Sequence, residues 1–225
     1  MIKNDNWIYI HVPRTAGTTV EDMFCKDHNL IVEDEVHTTA YDIEDKKDKF
    51  IFGFVRNPYS FEWSLWNCHR KSWGIFEDFD EWCAFRFGGK IDECYEKYEY
   101  MPVRDRDGSK TELDYCYILF IRSQAGYFCD ENKKCIANKI YRFEHLKESW
   151  DDIQSKINMN IKMNVYDRNY KDDYKKVYTD YSYDLITKCK ARDLELFGYN
   201  FDGFVGDIPL DYNVDYVGEN YAFSR

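Results

Sequence analysis

Apolar and polar residues along the chain fall into short blocks that alternate between the periods of strands and helices. Trp7-Ile8-Tyr9-Ile10-His11-Val12 is a near-continuous apolar run, the pattern of a buried strand, and Pro13 stops it. The loop Pro13-Arg14-Thr15-Ala16-Gly17 leads into Thr18-Thr19-Val20-Glu21, where Thr18 and Glu21 are spaced as a capping box. That spacing predicts a helix running to about Cys25 or His28. The form then repeats. Phe50-Ile51-Phe52-Gly53-Phe54-Val55 reads as a strand buried on both faces, as in parallel sheets. Arg56 stands at its carboxyl end, Asn57 is placed as an N-cap and Pro58 as the first helical residue. The helix that follows is expected to continue through Trp66 or further.

Beyond Ser72 the pattern changes. Phe76, Phe79, Trp82 and Phe85 recur every three residues and predict an amphipathic helix ended by Gly88-Gly89. The charged stretch to Lys110 reads as an exposed excursion, and Tyr115 to Ile121 fits helix or strand equally. Lys139-Ile140-Tyr141-Arg142-Phe143 predicts another strand, followed by an amphipathic helix from about Leu146 to Ile157. A last helix is expected from Asp180 to Phe197, stopped by Gly198 as its C′ residue. Strands alternating with helices predict an α/β domain with a mainly parallel sheet. One domain over residues 1–225 is expected, with a variable excursion at about 72–114.

Composition narrows the classes. With 44% hydrophobic and 19% aromatic residues the chain is not intrinsically disordered. Its net charge of −11 argues against a non-specific nucleic-acid binder, so any anion site must be built locally. No signal-peptide pattern or long apolar run is present, so neither membrane segment nor export is expected, and a cytoplasmic location follows. The eight cysteines show no CxxC and no zinc spacing, and Cys129 and Cys135, the closest pair, match no common metal knuckle. Reduced, mostly buried thiols and no metal are expected.

The first loop carries the candidate chemistry. A helix N-terminus after a strand presents outward-pointing N–H groups and a favourable dipole to an anion. Arg14 adds a guanidinium, and Thr18 and Thr19 add hydroxyls. GxxxxGK[ST] is absent, so this is not a Walker A loop. The plainer alternative is an ordinary strand-to-helix turn.

His11-Val12-Pro13-Arg14-Thr15-Ala16-Gly17-Thr18-Thr19 resembles the 5′-phosphosulfate loop of sulfotransferases that use 3′-phosphoadenosine 5′-phosphosulfate (PAPS). It is most similar to the carbohydrate-type branch, with H-I-P-K-T-A-G-T-S or -T, and Arg14 replaces the usual Lys. Phe54-Val55-Arg56-Asn57-Pro58-Tyr59 with Ser64 resembles the family's 3′-phosphate motif, an Arg followed eight residues later by a Ser. His37-Thr38-Thr39-Ala40 resembles an H-x-T-A segment. Tyr141 to Leu146 resembles an R-F-E-x-L strand end, and Arg192 to Tyr199 a helix ending D-x-x-x-F-G-Y. The five motifs keep the family's order across about residues 7–201.

The resemblance implies a P-loop-NTPase-like three-layer fold. It implies transfer of a sulfuryl group from PAPS to an acceptor hydroxyl, on a carbohydrate, leaving 3′,5′-adenosine bisphosphate. Arg14, Thr15, Ala16, Gly17, Thr18 and Thr19 would hold the 5′-phosphosulfate, with Arg14 also catalytic, and Arg56 and Ser64 the 3′-phosphate. In the plainer alternative Arg56 is a surface cation. His37 is the first candidate for the base, with Glu35 the alternative about twenty residues after the loop cation. His11 is expected to pack at the strand end, Arg142 and Glu144 to form an ion pair beneath the site, and the Phe76–Phe85 stripe to be core. Two rival functions stay open: a nucleotide or small-molecule kinase on a related fold, and an inert nucleotide-binding module.

Overall fold

The computed structural model describes residues 1–28, 39–43, 45–73, 76–87, 103–104, 110–111, 123–163 and 173–214. Its centre is a four-stranded sheet in the order β1 (Ile2–Lys3), β2 (Trp7–Ile10), β3 (Phe50–Val55) and β6 (Lys139–Arg142). The strands β2, β3 and β6 are parallel, with Trp7 opposite Phe50 and Val55 opposite Arg142. The edge strand β1 runs antiparallel to β2. Two further two-residue pairs lie outside this sheet: β4 (Val103–Arg104) with β5 (Lys110–Thr111), and β7 (Tyr199–Asn200) with β8 (Gly203–Phe204).

The central strands β2 and β3 are apolar throughout because both faces are covered. Ile8, Ile10, Ile51, Val55 and Ile140 face one core, shared with Leu65 of α2 (Pro58–Trp73), with Phe79 and Trp82 of α3 (Phe79–Phe87), and with Ile186. Trp7, Tyr9, Phe52, Phe54 and Tyr141 face the other. There they meet Val20, Met23 and Phe24 of α1 (Gly17–His28) and Trp150, Ile153 and Ile157 of α4 (Trp150–Ile157). The architecture is therefore α/β, a mixed sheet between helices. Phe76, Phe79, Trp82 and Phe85 are all buried, so the predicted stripe is core, but its helix begins at Phe79 and Phe76 precedes it with φ 54°.

Two further predicted elements are corrected. The helix expected from about Leu146 begins at Trp150, after a 3₁₀ turn over Phe143–His145. The helix expected over 180–197 is two, α5 (Asp180–Cys189) and α6 (Ala191–Leu196). The break falls at Lys190, whose buried ammonium bonds Glu62 of α2 at 3.1 Å. Gly198 has φ +65°, the left-handed residue that a helix end of this type requires, and a Cβ there would lie 2.1 Å from the Val205 carbonyl. Tyr115–Ile121 and Gly88-Gly89 lie outside the described residues.

Candidate anion-binding site

Between β2 and α1 the backbone makes a tight loop in which two non-glycine residues, Arg14 (φ 62°) and Ala16 (φ 69°), are left-handed. Such residues cost free energy, and their recurrence in a loop turns successive N–H groups to one side as an anion-binding concavity. Thr15 is buried and donates its hydroxyl to the Val12 carbonyl at 2.6 Å, which ties the loop closed. Its side chain is therefore spent on the loop itself. The Val20 amide bonds the Ala16 carbonyl at 3.0 Å, so helical bonding begins there. The Gly17, Thr18 and Thr19 amides ahead of it have no acceptor among the described residues. Thr18 is exposed and Thr19 half-buried.

Gly17 is there because His11 is. A Cβ on Gly17 would sit 1.5 Å from His11 Nε2. The buried imidazole lies across the start of α1, and its Nδ1 is 2.7 Å from Glu21 Oε1. Glu21 is thus held by His11 and does not form the capping box expected with Thr18. His11 packs at the strand end, as its position predicts.

The second unit brings a second cation beside the first. Asn57 caps α2, accepting the Tyr59 amide on Oδ1 at 3.0 Å. Arg56 precedes it, 6% exposed. Its Nε donates to Ser60 Oγ at 2.8 Å and its Nη1 to the Arg14 carbonyl at 3.1 Å. Arg14 in turn donates to Ser64 Oγ from Nε at 3.2 Å and from Nη2 at 3.0 Å. The structure therefore brings together Arg14, Arg56 and Ser64 but exchanges the expected pairing. Ser60 takes the Arg56 guanidinium, and Ser64 takes Arg14. Sequence reasoning missed Ser60, although residues 56, 60 and 64 recur at the four-residue spacing of one helix face.

Neither guanidinium has a carboxylate within ion-pair distance among the described residues. Arg56 instead packs on the Phe143 ring, 4.6 Å from its centroid. Burial pulls its pKa down to about 10, Glu144 works against that, and Arg14 adds like-charge pressure. Two uncompensated cations with two hydroxyls, beside free helix amides, can hold a ligand carrying two anionic groups.

The strand end is braced from three sides. The Gln124 amide pairs with the Arg56 backbone, accepting its N–H at 2.8 Å and donating to its carbonyl at 2.7 Å. Asp193, buried in α6, accepts the Gln124 amide N–H at 2.7 Å and the Ser123 hydroxyl. Glu144 accepts the Asn57 amide at 2.8 Å and the Tyr199 hydroxyl at 2.8 Å. Asn57 donates to the Asn200 carbonyl at 2.8 Å. Arg142 does not pair with Glu144 as expected. Its Nη2 donates to the Phe197 carbonyl at 2.5 Å, and its guanidinium lies over Phe204. The segments around residues 56, 144 and 197 thus interlock behind the two arginines. Nothing local marks Gln124 for this task.

His37 and Glu35 lie outside the described residues, and of the H-x-T-A segment Thr39 and Ala40 are described. Among the described residues no group of three or more His, Cys, Asp or Glu side chains could hold a metal ion, and no helix is long and apolar enough to cross a membrane. A surface groove lined by Lys46, Lys49, Phe50 and Asn138 lies at the amino end of β3, the opposite edge of the sheet. Its lysines are ion-paired, with Glu131 and Asp45. No protein-family model, characterised protein or solved structure matches the chain.

Proposed function

We propose that the chain is a PAPS-dependent sulfotransferase acting on a hydroxyl of a carbohydrate acceptor, on a P-loop-like variant of its α/β fold. One observation carries this reading: two guanidinium groups that have no carboxylate partner among the described residues meet at the carboxyl ends of adjacent parallel strands, where open α/β sheets bind ligands. PAPS carries two anionic groups at fixed separation, which this donor set fits. When bound, it supplies a sulfuryl group on a good leaving group.

The chain's own residues would do the rest. The amides of Gly17, Thr18 and Thr19 and the exposed Arg14 hold the 5′-phosphosulfate. Arg14 also places positive charge where the leaving oxygen gains negative charge, which lowers the barrier more than it strengthens ground-state binding. Arg56, steadied by Ser60 and Gln124, grips the 3′-phosphate together with Ser64. His37, or Glu35, takes the acceptor proton.

Calorimetric titration tests the reading. 3′,5′-Adenosine bisphosphate should bind without metal, and ATP with magnesium should not compete with it. Arg56→Ala should weaken that binding by about 30- to 1000-fold, the worth of lost charge-assisted hydrogen bonds, and should matter much less for 5′-AMP. Preference for ATP–magnesium would support a kinase instead. Failure of both nucleotides to bind would remove the nucleotide site altogether.

A further inference from the structure

Cys129 and Cys135 face each other across a hairpin whose hydrogen bonds define their relation. The Asp130 amide bonds the Lys134 carbonyl at 2.9 Å, and the Ile136 amide bonds the Phe128 carbonyl at 2.9 Å. These two bonds flank the bridge that pairs Cys129 with Cys135. The cysteines therefore occupy a non-hydrogen-bonded antiparallel pair, where opposed Cα atoms are about 4.5 Å apart and side chains stand closest. That separation lies at the short end of the Cα range that a disulfide spans without backbone movement.

The surroundings hold this register and tolerate loss of the thiol protons. The turn is fixed by Asp130, whose Oδ1 accepts the Asn132 amide at 2.9 Å and the Lys134 amide at 3.1 Å. On its outer side the Cys135 amide bonds the Tyr212 carbonyl at 3.0 Å. The Cys129 thiol donates to the Ala125 carbonyl, which also accepts the Tyr212 hydroxyl at 3.1 Å. Removing the thiol proton leaves that carbonyl partnered.

We propose that Cys129 and Cys135 are a built-in oxidation site, a dithiol that a small-molecule disulfide of the glutathione class converts to a cross-strand disulfide. Cys135, 6% exposed against 0% for Cys129, is the entry point. Its thiolate attacks one sulfur of the oxidant and expels one thiol. Cys129 then attacks the Cys135 sulfur of that mixed disulfide and expels the second. One S–S bond replaces another, both protons end on the released thiols, and the oxidant takes up two electrons. Burial raises both thiol pKa values, Cys129 to about 12, so the native protein reacts slowly. The proposal is independent of the sulfotransferase reading.

The test uses the full chain. Reduced protein is incubated with excess glutathione disulfide, alkylated in denaturant and digested with trypsin without reduction. Cleavage at Lys133 and Lys134 separates the two cysteines, so a bridge appears as two peptides joined, and reduction parts them. A sample refolded from urea in a glutathione redox buffer removes the kinetic barrier of burial. The joined peptides are expected in the refolded sample, and more slowly in the native one. The oxidised protein should melt roughly 5 °C higher, from the constraint on a short loop, and Cys135→Ala should show no such rise. Alkylated cysteines or glutathione adducts at both positions in the refolded sample would overturn the proposal. So would pairing of either cysteine elsewhere.

Discussion

Arg56→Met separates a charge held for a ligand from one that holds the fold. The side chain is 6% exposed and has no carboxylate partner among the described residues. Burial is the main reason its pKa falls from the ordinary arginine value to about 10, and a gap of that size corresponds to about 3 kcal/mol against the charged form in the folded protein. Methionine removes that penalty and keeps most of the length. It loses the bonds to Ser60 Oγ and the Arg14 carbonyl, about 1 kcal/mol each, and the contact with Phe143, which a thioether partly replaces. The unliganded variant should therefore be as stable as the wild type or more so by about 1 kcal/mol, or about 2–4 °C for a chain of this size. The thermal shift given by 3′,5′-adenosine bisphosphate should meanwhile largely disappear. Urea denaturation and thermal melts, each with and without that ligand, measure both terms. A variant that loses more than about 2 kcal/mol in the absence of ligand would refute the reasoning, because Arg56 would then be a structural element.

Two further outcomes follow from the packing. Gly17→Ala should destabilise by about 2–4 kcal/mol, because its Cβ displaces a buried imidazole and strains the bond to Glu21; in urea melts the Gly17→Ala and His11→Ala effects should be strongly non-additive, and additivity would count against the contact. Glu62 is fully buried, bonded to Arg86 at 2.8 Å and Lys190 at 3.1 Å. Burial alone would raise its pKa, but those two cations outweigh it and hold the carboxyl below its ordinary value. The folded state thus binds its proton less readily than the unfolded chain, so this stability is present above the ordinary glutamate pKa and is lost as pH falls through the lower folded value. Glu62→Gln should cost about 3–5 kcal/mol at pH 7 and flatten the acid limb of a stability–pH curve, and an unchanged acid limb would assign acid unfolding to other groups.

The sequence by itself determined the elements that depend on local pattern. The runs 7–10 and 50–55 are strands because unbroken apolar residues with β-branched and aromatic members suit a sheet covered on both faces, and 139–142 joins them through its buried Ile140-Tyr141 centre. Asn57-Pro58 starts a helix because a side-chain oxygen can cap it and proline loses no needed amide. Arg14 and Arg56 are legible as candidates for the same reason, each following a strand at the point where a helix begins.

Only the tertiary structure decided which side chains meet. Arg56 takes Ser60 and leaves Ser64 to Arg14 because β2 and β3 are neighbours and α2 turns that face toward the first loop. Glu21 serves His11 because a glycine lets the imidazole cross the start of α1. Gln124 and Asp193, 68 and 69 residues from their partners, carry no local mark at all. Periodicity records whether a residue is buried and in what kind of element. Partnership between distant polar groups is set by strand order and helix facing, which no local window contains.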